Sequence, residues 1–346
     1  MSRETKAAVL CELGKPLQLM SLTLPSLKPG QVLVEMAYSG VCHTQLLEAR
    51  GRRGLDPHLP HTLGHEGAGT VCEIGPGVEK VKPGDRVVLT WIKGQGQDVP
   101  STQYKSDMGR VNSGAISTFM RHTVTCENRL IPIPETMPLR EAALLGCAVP
   151  TGSGIIHNAA QVNSGSTIAV FGIGGIGLSV ILAAKATAPK MLIAVDVVDA
   201  KLRHATQLGA THEINAAKVE ALAVLRELTG GRGVDYAIEA AGRRVTMETA
   251  FSSVREQGGL CVIAGNLPHG ERISIDPFDL IKGKRVIGTW GGETSPDRDI
   301  PKYVERYLAR ELDLESLITH EYSLDQANQA LDDLEEGKVG RGIIKF

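Results

Sequence analysis

The amino-acid sequence predicts a β-rich domain followed by an α/β domain built on a doubly wound parallel sheet. Three observations carry this prediction. Short β-type runs punctuated by Pro and Gly fill the first ~150 residues. From Ser164 onward, strands alternate with helices. A glycine-rich turn, Gly172-Ile173-Gly174-Gly175-Ile176-Gly177, joins the first strand of that second region to its helix.

In the first region, Lys6–Leu10, Val32–Ser39, Gly69–Ile74 and Arg86–Thr90 read as strands. Lys28-Pro29-Gly30 and Lys82-Pro83-Gly84-Asp85 mark turns between them. In the second, the expected strands are Thr167–Phe171, Met191–Val195, a short run leading to Asn215, Val234–Glu239 and Gly259–Ala264. Helices are expected between them over Gly174–Ala188, Lys201–Leu208, Lys218–Thr229 and Val245–Val254, with Arg285–Trp290 as a closing strand. The tail changes pattern again, to helices over Ile300–Arg310 and Leu324–Glu335 and a strand over Gly342–Phe346.

A chain of 346 residues, 42% hydrophobic and 22% charged, suits a soluble enzyme of two domains. A formal net charge of −2 argues against a general binder of nucleic acid, which needs a basic excess. Met1-Ser2-Arg3-Glu4 lacks a secretion pattern. Ser166 to Ala184 is uncharged, but its clustered glycines fit a strand, a turn and a buried helix better than a membrane span. The expected location is the cytoplasm.

Six scattered cysteines do not form a disulfide framework. Three residues stand out by their settings: Cys42 in Gly40-Val41-Cys42-His43-Thr44, His65 in Gly64-His65-Glu66-Gly67, and Cys147 in Gly146-Cys147-Ala148. Two thiolates and an imidazole are the donor set of a zinc site with an open fourth position, where an alcohol oxygen can bind and lose a proton. Cys11, Cys72, Cys126 and Cys261 read as small core residues, and His58, His61 and His122 as surface or core histidines.

The glycine turn follows a strand, opens a helix, and is followed about 20 residues later by Asp196 at the end of the next strand. Such glycines let the backbone approach a pyrophosphate resting on a helix N-terminus. The Asp196 carboxylate is expected to accept hydrogen bonds from the adenosine ribose and to repel a 2′-phosphate, which favours NAD.

The chain resembles the zinc-containing medium-chain alcohol dehydrogenases over nearly its full length. The resemblance rests on Gly64-His65-Glu66-Gly67-Ala68-Gly69, Gly75-Pro76-Gly77-Val78, Lys82-Pro83-Gly84-Asp85-Arg86-Val87, Ser117-Thr118-Phe119, Gly146-Cys147, the run Val170 to Gly177, Leu317-Ile318-Thr319-His320 and Gly340-Arg341. It is closest to the branch that includes the enzymes oxidising the formaldehyde–glutathione adduct. The resemblance implies a GroES-like catalytic domain (residues 1–148 and 291–346) around an inserted Rossmann domain (149–290). It implies Cys42, His65 and Cys147 as zinc ligands, with Glu66 just behind the metal, and Thr44 as the start of a proton relay. It implies His43, Thr151, Gly172, Gly174, Gly175, Ile176, Gly177, Asp196, Lys201, Arg243 and Arg341 as cofactor contacts, and Thr44, Trp91 and Ser113 as lining the alcohol pocket. The expected substrate is a small alcohol or aldehyde, and the expected assembly a homodimer or homotetramer.

The sequence departs from the family in three places. No cysteine lies between Lys93 and Ser113, where many relatives hold a structural zinc, so a single catalytic zinc per subunit is expected. Gln45 replaces the usual acid after the relay residue, and Leu47 occupies a position where some relatives place a relay histidine. Arg50, Arg52 and Arg53 lie in a slightly extended loop, and Ser113 and Gly114 replace large apolar residues. A substrate larger or more polar than ethanol is therefore expected. Two other readings share this fold: a zinc-free quinone or enoyl reductase, and a non-catalytic nucleotide-binding descendant.

Overall fold

A computed structural model describes residues 4–346. Its contacts divide into two compact units, one ending at Cys147 and resumed over Ser295–Phe346, the other spanning Ala148–Thr294.

The first unit begins with β1 (Glu4–Leu10), β2 (Gln18–Thr23), β3 (Gln31–Val41), β4 (His61–Thr62), β5 (Glu66–Ile74) and β6 (Arg86–Thr90). It continues with β7 (Gln103–Ser106), β8 (Gly109–Asn112), β9 (His122–Cys126) and β10 (Leu130–Ile133). Helices α1 (His43–Ala49) and α2 (Leu139–Ala142) complete its first part. After the second unit it resumes with α9 (Pro296–Leu308), β17 (His320–Ser323), α10 (Ala327–Glu335) and β18 (Gly342–Lys345). Strands β1, β2, β7, β8 and β4 close a small barrel, and a second sheet runs β10-β6-β5-β3-β18-β17 with β9 also paired to β3.

The eleven-residue β3 is the spine of this second sheet. Its end lies against the start of β5, with Ser39 opposite Gly67, and against β18, with Val41 opposite Gly342. Three segments remote in sequence therefore meet where β3 ends. Strand β5 starts at Glu66 rather than the expected Gly69, because Gly67 and Gly69 hide its apolar alternation. Helix α9 starts four residues before the expected Ile300, with Pro296 in the first turn and Asp297 and Asp299 complementing the helix dipole.

The second unit holds α3 (Ala148–Gly154), β11 (Thr167–Phe171), α4 (Gly175–Lys185), β12 (Met191–Asp196), α5 (Asp199–Leu208) and β13 (His212–Asn215). These lead to α6 (Ala221–Leu228), β14 (Tyr236–Glu239), α7 (Arg244–Ser253), β15 (Leu260–Ile263), α8 (Pro277–Ile281) and β16 (Arg285–Gly288). All strand pairs are parallel, in the order β13-β12-β11-β14-β15-β16. Every residue of β11 is buried, as a strand covered on both faces by helices requires. The order reverses between β11 and β14, so a crevice opens at the carboxyl ends of the strands, beside the glycine turn. Among the described residues, no helix is long and apolar enough to cross a membrane.

Candidate metal centre

Cys42, His65, Glu66 and Cys147 each present a ligand atom within 4.8 Å of the others. Cys42 caps the N-terminus of α1 immediately after β3, in extended conformation. His65 stands between β4 and β5, after Gly64 at φ +94°, where an added Cβ would lie 2.3 Å from Thr118 Oγ1. Cys147 follows a 3-10 turn over Ala143–Gly146. A Cβ on Gly146 would lie 2.3 Å from the Leu89 carbonyl, so only glycine brings this turn against β6.

The electrostatics of the cluster favour a cation. Hydrogen bonding from the Cys147 thiol holds Cys42 well below the ordinary thiol range, with His65 assisting against the cost of burial. The same bond, together with burial, pushes Cys147 well above that range. Burial alone would lower the His65 pKa, but the charge and hydrogen bond of Cys42 outweigh it and raise it. A divalent ion would balance both sulfurs as thiolates, which is how zinc affinity and thiol ionisation are coupled. The donor chemistry fits zinc.

Glu66 is fully buried behind this cluster and forms an ion pair with Arg341, whose Nη1 also donates to the Val41 carbonyl at 3.0 Å. Burial raises the Glu66 pKa, with Arg341 opposing it. Gly40 makes room for the pair, since a Cβ there would meet the Glu66 carboxyl carbon at 2.5 Å. Arg341 was expected at a pyrophosphate; its first role here is as the counter-ion of Glu66.

Gln45 is buried in α1 and meets both Cys42 and His65. Its Oε1 accepts from the Cys42 N–H at 2.8 Å, and its Nε2 faces Nδ1 of His65. An imidazole that ligates through Nε2 carries its proton on Nδ1 and needs an acceptor there. A carboxylate could serve both donors; the amide has one oxygen, already turned to Cys42. Thr44 Oγ1 lies 3.9 Å from the Cys42 sulfur, Leu47 is buried in the core, and His43 is exposed at the start of α1.

The remaining expected pocket residues serve packing. Trp91 packs at the margin of a core cluster with Val87, Leu89 and Leu130. Ser113 is buried in a chain of hydroxyls, 3.1 Å from Ser117 Oγ, which in turn accepts from Thr62 at 2.8 Å. Arg50 and Arg52 pair with Glu335 of α10, and Arg53 with Glu48 of α1. This basic loop is thus neutralised by the protein's own carboxylates.

Two acids, Glu127 and Asp297, fasten the cysteine-free segment. Glu127 accepts from the N–H groups of Gln97 at 2.9 Å, Glu79 at 3.1 Å and Lys80 at 3.2 Å. Asp297 accepts from the Gln95 N–H at 2.6 Å and pairs with Lys80 at 2.5 Å.

In the second unit the glycine turn has the form of a phosphate cradle. Gly172 adopts φ +89°, and a Cβ there would lie 2.6 Å from the Ala241 nitrogen. A Cβ on Gly177 would lie 2.0 Å from the Gly172 carbonyl, so this glycine lets α4 pack on β11. A Cβ on Gly174, the N-cap of α4, would meet nothing within 4 Å. Gly175 and Ile176 open that helix. Asp196 supports the turn from β12: its Oδ2 accepts from the Ile173 N–H at 2.7 Å, and its Oδ1 from Val197 and Val198. A carboxylate has about four acceptor sites, so one stays available for a ribose hydroxyl. Lys201 lies in the first turn of α5, and Arg243 is the exposed N-cap of α7. Thr151 carries a buried hydroxyl with no hydrogen-bond partner, an open position for a polar ligand.

Sequence reasoning missed Glu239, at the end of β14 beside this turn. Its Oε1 accepts from the N–H groups of Ala241 and Gly242 and from Thr246 Oγ1 at 2.6 Å, while Oε2 is buried without a partner. The available signal was an acid closing the apolar run Tyr236–Ile238. Cys72, read as a core residue, is exposed; Cys126 and Cys261 are buried, and Cys11 is half-buried.

Residues 28–135 match the family "Alcohol dehydrogenase GroES-like domain", and residues 175–309 match "Zinc-binding dehydrogenase". The chain is 35% identical to an S-(hydroxymethyl)glutathione dehydrogenase of Synechocystis sp., covering 99% of this chain and 100% of that protein. Its fold superimposes on an alcohol dehydrogenase zinc-binding domain protein from Burkholderia ambifaria with TM-score 0.91, 30% identity and full coverage of both chains. It superimposes on benzyl alcohol dehydrogenase from Acinetobacter calcoaceticus with TM-score 0.90, 29% identity and 99% coverage of both.

Proposed function

The chain belongs to the zinc-containing medium-chain alcohol dehydrogenases, and on that premise we propose that Cys42, His65 and Cys147 hold its catalytic zinc. The protein is a zinc-dependent oxidoreductase that uses NAD to interconvert alcohols with aldehydes or ketones. The observation that carries the site assignment is the convergence of two thiols and an imidazole from three segments within 4.8 Å.

Zinc, when bound, supplies Lewis acidity that lowers the pKa of an alcohol oxygen toward neutrality. NAD, when bound, accepts the hydride. The chain's own part is positioning and proton handling. The Thr44 hydroxyl receives the alcohol proton at Oγ1. Because Leu47 is buried and apolar, it offers that proton no next acceptor, and the proton leaves Oγ1 for water. Glu66 and Arg341 form a neutral pair behind the ligands, and Gln45 orients His65. Gly172, Gly174, Gly175, Ile176 and Gly177 cradle the pyrophosphate, with Asp196 and Lys201 at the adenosine ribose. His43 and Arg243 would contact NAD when it is bound, and Thr151 offers its unpaired hydroxyl.

The substrate is an alcohol larger or more polar than ethanol, in keeping with relatives named for hydroxymethylglutathione and benzyl alcohol. Arg52 and Arg53 are not its anion-binding groups, since Glu335 and Glu48 already hold them. The enzyme has no structural zinc in the Lys93–Ser113 segment, works as a homodimer or homotetramer, and resides in the cytoplasm. Its catalytic domain comprises residues 1–148 and 291–346, and its nucleotide domain residues 149–290.

The test is elemental zinc analysis of wild type and Cys147→Ser, with NAD reduction followed across primary alcohols, polyols, aromatic alcohols and the formaldehyde–glutathione adduct. The expected result is loss of one zinc and of turnover in the variant. An unchanged zinc content, or no alcohol reducing NAD in the wild type, overturns the reading.

A further inference from the structure

We propose that Glu35, Cys72 and His122 form a second metal site, on the exposed face of the sheet, that takes a divalent ion of the zinc class. Their carboxylate, thiol and imidazole ligand atoms lie within 4.8 Å of one another. The three residues come from three neighbouring strands. Glu35 on β3 stands directly opposite His122 on β9, and opposite Thr70 on β5. Directly opposed residues of an antiparallel pair hold their Cβ atoms close enough for side chains to touch, so Glu35 and His122 meet with no backbone adjustment.

Cys72 reaches the same point through an irregularity. Along β3 and β5, Val34 pairs with Val71 but Leu33 pairs with Glu73, which leaves Cys72 as the extra residue of a β-bulge. A bulge re-aims the side chain it carries. Cys72 is exposed, yet its sulfur converges with the ligand atoms of both neighbouring strands. His122 adds a second observation: its Nδ1 is buried and has no hydrogen-bond partner. With that nitrogen unbonded, no hydrogen bond through it holds the ring away from the thiol and the carboxylate.

The donor types name the ion. One thiolate, one imidazole and one carboxylate suit zinc better than calcium or magnesium, which prefer oxygen alone. Three protein ligands leave the fourth position to water. The three strands joined are the spine of the sheet and its two neighbours at this level, so the ion would fasten the sheet from its solvent side. The site shares no residue with the catalytic centre.

The test uses full-length enzyme stripped by chelator and equilibrated by dialysis at buffered micromolar free zinc. Wild type should retain one more zinc per chain than Cys72→Ser or His122→Asn, with alcohol turnover unchanged in both variants. Cys147→Ser should keep this additional ion, which separates failure of the present site from failure of the catalytic assignment. In parallel, zinc should slow alkylation of Cys72 by about tenfold or more in wild type, since a ligated thiolate is no longer a free nucleophile, but not in Glu35→Gln or His122→Asn. Equal zinc content in wild type and Cys72→Ser, or alkylation indifferent to zinc, overturns the proposal.

Discussion

Arg341 and Glu66, 275 residues apart in sequence, form a buried ion pair in which the carboxylate is wholly inaccessible and the guanidinium nearly so. The remaining atoms, Glu66 Oε2 and Arg341 Nε, have no partners. Removing one member of such a pair leaves an uncompensated buried charge. We expect Arg341→Met to lose roughly 3–5 kcal/mol of stability, and the double variant with Glu66→Gln to recover most of it. Urea unfolding of the two single variants and the double variant checks this; independent, additive losses would contradict it.

Gln45 offers one oxygen to two donors. Gln45→Glu supplies acceptors for both Cys42 N–H and a protonated His65 Nδ1, so zinc should leave the enzyme more slowly. A second-coordination partner of this kind is worth about 10–100-fold in affinity. Stopped-flow release of zinc to a chromophoric chelator measures it. Faster release from the Glu variant than from wild type would refute the account.

Two buried carboxylates should give opposite pH signatures. Although burial opposes it, three N–H donors hold Glu127 below the usual carboxylate range. Its stabilising contribution is present above the unfolded pKa and is lost as pH falls through the folded one. Burial raises Glu239 despite its hydrogen bonds. Its contribution is present below the unfolded pKa and is lost as pH rises through the folded value. Melting temperatures between acid and neutral pH should therefore fall less steeply toward acid in Glu127→Gln than in wild type. In Glu239→Gln, stability should gain toward neutral pH relative to wild type. Parallel curves for all three proteins would remove the assignment.

The glycine turn is sensitive at one atom. Gly177→Ala places a methyl 2.0 Å from the Gly172 carbonyl, so α4 must shift away from the strand. NADH affinity by fluorescence should drop by at least about tenfold, as expected when the third glycine of such a turn is lost. Asp196→Ser should instead relax the choice between NAD and NADP, read from the ratio of kcat/KM values.

Much of this was legible in the sequence because the chemistry sits on short, distinctive strings. Cys42, His65 and Cys147 were visible from their glycine neighbours, and those glycines are the residues that bring Gly64 against Thr118 and Gly146 against Leu89. The parallel strands were visible because burial on both faces demands apolar runs such as Thr167–Phe171. The alignment of partners between segments was not legible. Nothing local in Gly340-Arg341 says that the guanidinium turns to Glu66, and nothing in Cys72 announces a bulge. Nor does the stretch after Lys93 reveal that Glu127 and Asp297 hold it. Such pairings depend on strand register, which a single sequence leaves unstated.

The split first unit sets an order of assembly on the ribosome. Cys42 and Glu66 emerge early, but the arginine that neutralises Glu66 follows only after the whole of Ala148–Thr294 has been made. That contiguous α/β unit has its contacts nearer in sequence and folds first, as domains that emerge as units do. Until Arg341 arrives, the nascent chain carries an acid that disfavours burial. The final, paired burial of Glu66 is therefore a late event in the life of the chain, timed by the position of one arginine.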